Sequence, residues 1–138
     1  MKISRIKLIQ KLVRKEYKSV RPEAFNEASL AFTEIITGGH LPDLKSDFKV
    51  TLKSNSLDTL LVNYLSHLIF LFDTENFLVS KTDLIFEIGK ENRLSGKLEG
   101  DIYDEKEHGY GVGIKAISYH MLEIIEGPPA KIVVVLDL

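Results

Sequence analysis

The longest apolar segment of the chain, SNSLDTLLVNYLSHLIFLFDTE at residues 54–75, limits the possible folds most. Ser56 is suited to cap the N-terminus of a helix, and leucines and aromatic residues follow it at helical spacing. The second half is apolar on nearly every side, which predicts a buried central helix. Because no apolar run reaches the roughly 18 residues that span a bilayer, we expect a cytoplasmic protein that does not associate with membranes.

A second helix is predicted before this segment, and strands are predicted on both sides of it. In residues 19–39, Pro22 suits the first turn of a helix, and Gly38 with Gly39 suits its end. Strand patterns occur in DFKVTLKS (47–54), FLVSKTDLIFEIG (77–89), NRLSGKLEGDIY (92–103), GIKAISYHMLEI (113–124) and AKIVVVLDL (130–138). The short turns between the later strands predict an antiparallel meander. We therefore expect a single α+β domain over residues 1–138, with two helices packed on one face of a largely antiparallel sheet of about six strands.

Charge and cysteine content restrict the metals and partners that the chain can use. The chain has no cysteine, so any metal must be held by oxygen or imidazole ligands, which favours hard cations such as calcium or magnesium. The formal net charge is only −2, yet residues 1–21 contain eight lysines and arginines against the single acid Glu16. This basic arm could contact RNA phosphates or an acidic partner, or it could be the solvated face of a strand pair.

Two features could be mistaken for functional sites. The glycine-rich sequence GYGVG at residues 109–113 lacks the Gly-Lys-Ser/Thr ending and the following helix of a phosphate-binding loop. A strand is predicted to follow it, so we expect a flexible hairpin arm here rather than a nucleotide site. His67 lies among apolar neighbours on the central helix, where a buried, hydrogen-bonded histidine is expected rather than a metal ligand.

The two C-terminal strands carry the polar residues that are the strongest candidates for a functional site. Side chains alternate along a strand, so Lys115 and His120 should point to opposite faces and should not form a catalytic pair. Asp137 stands next to Leu138, whose terminal carboxylate would add a second anionic group. Two such carboxylates suit a hard cation or a lysine, although a frayed terminus fits the same pattern.

The sequence also resembles the archease family. KAISYHMLEI is similar to that family's K-A-[VIL]-[ST]-Y-H signature strand, and LLVNYLSHLIFLFDTENFLVSK is similar to its long helix. EAFNEASLAFTEIIT and VVVLDL resemble its first helix and its C-terminus, so the resemblance covers residues 22–138. It implies a small α+β protein that is not itself an enzyme. Such a protein activates an RtcB-type RNA ligase in tRNA splicing by promoting its guanylylation and multiple turnover, and reaches tRNA only through the ligase.

The resemblance also implies site residues. The family has a metal site, usually with calcium, formed by an aspartate of an N-terminal H-T-A-D motif and by a C-terminal aspartate. The corresponding residues here are Asp137 as metal ligand with Leu138 beside it, and Lys115 as the signature lysine required for ligase activation. Ser118, Tyr119 and His120 match the rest of the signature and are expected to support it structurally.

The N-terminus departs from the family pattern. No aspartate or histidine precedes His40, and an ungapped count places the H-T-A-D aspartate at Lys11. One hypothesis is that the Lys11 ammonium replaces the metal by pairing with Asp137. Another is that this N-terminal sequence differs from that of the translated gene.

Two other classes of function stay open. One is a metal-dependent hydrolase of phosphate esters that uses Asp73, Asp101 and Asp137, although these residues lie on separate predicted elements. The other is a general chaperone, which would expose an apolar patch rather than a polar rim.

Overall fold

The computed structural model describes residues 20–125 and 131–138. These residues form three helices and five strands. In chain order they are α1 (Val20–Thr37), β1 (Ser46–Ser54), α2 (Leu57–Glu75), β2 (Phe77–Glu87), β3 (Asn92–Ile102), α3 (Glu105–His108), β4 (Ala116–Ile125) and β5 (Lys131–Asp137). The α+β class is confirmed. A sixth strand from the basic arm, as the sequence suggested, would lie outside the described residues.

The central helix α2 begins and ends where its capping residues predict. The Ser56 side chain accepts a hydrogen bond from the Thr59 amide at 3.1 Å, which satisfies one of the free N–H groups of the first turn. Asn76 adopts a left-handed conformation with φ 57° after the last turn, and its amide bonds to the carbonyls of Leu71 and Phe72. The predicted N-cap is therefore confirmed.

The strands form two antiparallel sheets rather than one. In the first sheet the order is β1-β3-β2, and in the second β4 pairs with β5. The predicted meander is wrong, because both edges of β3 are already paired and β4 has no place beside it. The chain leaves β3 through α3, a short helix where the sequence pattern predicted a turn.

The two long helices and the inner face of the first sheet share one hydrophobic core. Five residues of α2 that are almost completely buried form its centre: Leu60, Leu61, Tyr64, Leu65 and Leu68. Helix α1 packs on β2, where the buried Thr33 hydroxyl donates to the Val79 carbonyl at 2.6 Å. Among the described helices, none combines the length and the hydropathy needed to span a bilayer.

Candidate functional site

Lys115 and Asp137 are brought together where β4 and β5 pair. The backbone N–H of Lys115 donates to the Asp137 carbonyl at 2.7 Å, and Ala116 is paired with Asp137 in the ladder. Val134 and Leu136 are buried, which anchors β5 in the core, while Lys115 is exposed. We call Lys115, Asp137 and the adjacent Leu138 the rim. The backbones of the two residues singled out for ligase activation thus lie next to each other in the structure.

The segment from Gly109 to Lys115, here called the glycine segment, lies against the C-terminus of α1. Its amides at Gly111 and Val112 donate to the carbonyls of Ile36 and Ile35, at 2.6 and 2.9 Å. These carbonyls have no partner within the helix, so the segment satisfies them. The expected flexible hairpin arm is therefore wrong. The segment is fixed to α1 and leads directly into the rim.

Gly111 is required for this close approach. A Cβ atom at this position would overlap the Ile35 carbonyl oxygen and would lie 2.9 Å from the Gly38 nitrogen. Both neighbours are backbone atoms, which cannot move aside as a side chain could. The glycines of GYGVG thus serve packing against a helix end.

Strand β4 is not a regular strand at the signature sequence. Ser118 pairs with Val135 and Glu123 pairs with Val133, so five steps along β4 oppose only two along β5. The simple alternation used to separate Lys115 from His120 fails across this bulge, because extra residues change the facing of those that follow. Ser118 is half-buried and Tyr119 is 56% exposed, whereas the His120 side chain lies outside the described parts.

Sequence reasoning missed a buried histidine that precedes the glycine segment. His108 is only 1% exposed, and its Nδ1 accepts the Asp104 amide at 2.9 Å. Its Nε2 lies 3.5 Å from Asp101 Oδ2 and 3.8 Å from Glu107 Oε1. Lys45 Nζ lies 3.3 Å from the same Glu107 oxygen and 3.9 Å from Asp101 Oδ2. We call Lys45, Asp101, Glu107 and His108 the His108 cluster.

The His108 cluster has the composition of a metal site but not its protonation. Ligand atoms of Asp101, Glu107 and His108 lie within 4.8 Å of one another. Because Nδ1 accepts a hydrogen bond, the proton of the neutral ring is on Nε2, which then has no lone pair for a metal. The Lys45 ammonium already supplies the cation, and its hydrogen bond to Glu107, with the charges of Glu107 and Asp101, raises the Lys45 pKa. The contacts of the cluster have a structural role, because they hold the end of β3 against α3.

The sequence does contain a local signal for α3, the helix that carries Glu107 and His108. Asp104 caps α3 through a hydrogen bond from the Lys106 amide at 3.0 Å, and His108 follows one turn later. An aspartate followed by acidic and basic residues is typical of a helix start, although the same residues also suit a turn. The partners Lys45 and Asp101 come from distant elements, which short-range patterns do not reveal.

Comparison with known proteins agrees with this architecture. The model of the archease protein family (MTH1598/TM1083) matches residues 17–138. The chain belongs to the archease family.

Curated archeases match most of the chain. The chain is 36% identical over 104 residues to the protein archease of Pyrobaculum neutrophilum, which covers 74% of this chain and 71% of that protein. It is 34% identical over 118 residues to the archease of Methanothermobacter thermautotrophicus, covering 84% of each. A Drosophila melanogaster protein, archease-like, is 28% identical over 120 residues, covering 84% of this chain and 77% of that protein.

Solved structures share the fold. The solution structure of Methanobacterium thermoautotrophicum protein 1598 superposes with a TM-score of 0.71 at 31% identity, covering 85% of this chain and 84% of that one. The crystal structure of a Thermotoga maritima protein, described as an archease and possible chaperone, gives a TM-score of 0.54 at 16% identity, covering 99% of both chains. The second likeness concerns the fold alone.

An archease metal site of the expected kind is not complete in the described residues. Calcium takes six to eight oxygen ligands. Within residues 20–125 and 131–138, the group of three potential ligands that the structure contains is Asp101, Glu107 and His108, and it does not include Asp137. Lys11, at the position of the missing aspartate, lies outside the described residues. The described residues therefore do not fit a calcium site on their own.

Three further residues considered in the sequence analysis are Asp73, Asp101 and His67. Asp73 is exposed near the end of α2 and Asp101 lies in the His108 cluster, so within the described chain neither forms a ligand group with Asp137. The carboxylate arrangement of a two-metal hydrolase is thus not formed there. His67 is half-buried rather than buried, its ring stacks on Phe70 with 6.0 Å between centroids, and burial lowers its pKa.

Proposed function

We propose that this archease activates an RtcB-type RNA ligase in cytoplasmic tRNA splicing, by promoting ligase guanylylation and multiple turnover. The observation that supports this most is the contact of the Lys115 amide with the Asp137 carbonyl at 2.7 Å. It joins the lysine of the signature strand and the C-terminal aspartate at one rim. Family membership supplies the expectation that these two residues act on a ligase.

The rim offers charges of both signs on a rigid base. Lys115 is exposed, so its ammonium can reach a phosphate oxygen of a partner's nucleotide, where a compact point charge binds well. Asp137 is partly buried beside it and can hold a partner's lysine or help place a metal ion. In this proposal the rim enters the active-site region of the ligase and positions groups for guanylylation, while the ligase performs the chemistry.

A ligation assay tests the proposal. RNA ligation by the matching ligase at low enzyme concentration, with GTP and manganese, is measured with and without this protein. We expect the wild-type protein to raise turnover and Lys115→Ala to lose the stimulation while remaining folded. Lys90→Ala, which removes an exposed lysine in the turn between β2 and β3, is the matched control and should stimulate normally. Equal stimulation by both variants would refute the role of Lys115.

The missing H-T-A-D aspartate leads to a second part of the proposal. We infer that Lys11 supplies at Asp137 the positive charge that the family resemblance assigns to calcium, so that this protein needs no metal. Calorimetry should then show no calcium binding to the wild-type protein and new binding to Lys11→Asp. Calcium binding by the wild-type protein would contradict the replacement of the metal by Lys11. The ligase assay tests the other part of the proposal, and its result would still stand.

A chaperone activity is the second candidate. The glycine segment exposes Tyr110 by 73% and Val112 by 39%, next to Lys115. These side chains could shield an apolar surface of another protein. Suppression of aggregation of a denatured substrate that is lost in Tyr110→Ser, but kept in Lys115→Ala, would favour this activity over the ligase role.

A further inference from the structure

The outer face of the three-stranded sheet carries two pairs of like charges. Lys49 of β1 is directly opposite Lys97 of β3, and Lys53 is directly opposite Arg93. All four side chains are exposed. Lys97 is paired with Glu99 at 3.3 Å, while the other three form no ion pair with a described residue. We call these four residues the basic ladder. Directly opposed like charges destabilise a sheet. Lys97 and Arg93 are also opposite the acidic residues Asp83 and Glu87 of β2, whereas Lys49 and Lys53 of the edge strand β1 have no acidic residue opposite them.

The first pair of the ladder borders a depression of about 440 Å³. Its wall includes the hydroxyls of Thr51 and Ser95, which are themselves paired across the two strands. Asp83 and the 62% exposed Ile85 line the side formed by β2. The depression therefore combines ammonium groups, hydroxyls, one carboxylate and one apolar side chain.

Gly96 lets the strands approach closely beneath this depression. It pairs with Val50 on one side and Leu84 on the other, and has a φ of +154°. A Cβ atom here would overlap the backbone carbonyl of Asp83. Gly96 is therefore required for the close packing of β3 against β2 at the depression.

This combination of groups fits a sugar phosphate. Lys49 and Lys97 with two hydroxyls can donate to the oxygens of one phosphate. The Asp83 carboxylate can accept from a ribose hydroxyl, and Ile85 offers an apolar contact to the sugar or base. The second pair of the ladder is four residues away along each strand, about 13 Å at 3.3 Å per residue. It lies too far for the same phosphate but is suitably placed for a later phosphate of the same strand.

The acidic residues on this face define where such a strand could lie. Asp83 is opposite Lys97 and Glu87 is opposite Arg93, both on β2, and Asp47 of β1 is opposite Glu99 of β3. A backbone of phosphates would therefore be repelled from β2 and from the Asp47–Glu99 end of the sheet, and would run along β1 and β3 from the first pair of the ladder to the second. A single small anion would use only one pair, whereas a chain of phosphates uses both.

We propose that the outer sheet face of this archease binds the phosphate backbone of single-stranded RNA along β1 and β3, with one nucleotide in the depression. This inference does not depend on ligase activation, because it concerns RNA binding by the protein alone. Binding through phosphates carries no base specificity and depends strongly on salt.

The test measures the salt dependence of RNA binding by fluorescence anisotropy of a labelled single-stranded RNA. Removing one lysine that neutralises a phosphate should reduce the slope of log affinity against log salt by about 0.7 between about 50 and about 200 mM salt. We expect the Lys49→Gln/Lys53→Gln double variant to reduce the slope by about 1.4, and to weaken binding at the lower salt concentration. Lys90→Gln/Lys106→Gln is the control, because it removes the same net charge from exposed positions outside the sheet.

The double variant keeps the basic arm at residues 1–21 unchanged, so a difference in slope reports the sheet face. No binding by the wild-type protein, or equal slopes for the two double variants, would overturn the proposal. Asp83→Asn should reduce the preference for RNA over DNA of the same sequence. An unchanged preference would refute the placement of a nucleotide in the depression. Displacement of RNA by polyglutamate at an equal concentration of charge would identify an acidic protein as the partner and would also overturn the proposal.

Discussion

Replacing Gly111 by alanine tests whether the glycine segment needs its contact with α1. The new methyl group would overlap the Ile35 carbonyl oxygen, and the Gly38 nitrogen at 2.9 Å blocks a small sideways shift. The segment must therefore move away from the helix. This movement breaks the hydrogen bonds from Gly111 to Ile36 and from Val112 to Ile35.

The magnitude follows from these two hydrogen bonds. Each backbone hydrogen bond contributes about 1 kcal/mol, so the free energy of unfolding should fall by about 2 kcal/mol. For a domain of this size, 1 kcal/mol corresponds to roughly 4 °C in melting temperature, which gives a decrease of about 8 °C. Lys115 lies at the end of the segment, so the loss of stimulation in the ligase assay should exceed the loss of folded protein.

Urea denaturation of Gly111→Ala and Gly113→Ala measures the effect. Gly113 is the matched control, because it lies in the same segment and its Cβ would meet open space. We expect Gly113→Ala to unfold at nearly the same urea concentration as the wild-type protein. Equal midpoints for the two variants would refute the conclusion that close packing at Gly111 holds the segment in place.

Three further predictions concern buried and partly buried polar groups. Tyr64→Phe removes the 2.5 Å hydrogen bond between the tyrosine hydroxyl and Ser29, and should cost about 1 kcal/mol in thermal unfolding, because Ser29 keeps its bond to the Phe25 carbonyl. Asn26→Ala removes the acceptor of the Thr82 amide and hydroxyl at the edge of β2, and should lower the melting temperature more than Asn26→Asp, which keeps an acceptor. Burial lowers the pKa of His67, so stability is full above the unfolded pKa of about 6.5 and is lost as pH falls through the lower folded pKa. Urea midpoints at about pH 7.5 and about pH 5.5 should differ less for His67→Gln than for the wild-type protein.

Local patterns predicted the helices and strands well, because each depends on residues that are close in sequence. The Ser56 cap and the glycines after α1 fix their helix ends through contacts within a few residues. The sheet order was wrong for a physical reason. Pairing of β1 with β3 fills the edge that β4 would have used, and nothing in either segment alone reveals that competition.

The candidate site was predicted in part. Lys115 and Asp137 were identified by resemblance to a family, and only the pairing of β4 with β5 places them together. The His108 cluster was missed because its members come from the approach to β1, from β3 and from α3. A histidine with two acidic neighbours suggests a metal site by composition. The hydrogen bond to its Nδ1 and the presence of Lys45 decide against that interpretation, and both depend on tertiary structure.

The His108 cluster and the rim lie at the two ends of the glycine segment, which explains how a small protein can hold Lys115 in a defined place. The Tyr103 hydroxyl donates to the Gly109 carbonyl at 2.7 Å, the Gly111 amide bonds to α1, and the Lys115 amide bonds to Asp137. The backbone of the segment is thus tied down at its start, middle and end, so Lys115 loses little backbone entropy when a partner binds it. Its side chain is exposed. A preorganised backbone with an exposed ammonium group suits the proposed role, in which the rim would enter and leave the active site of the ligase at every turnover.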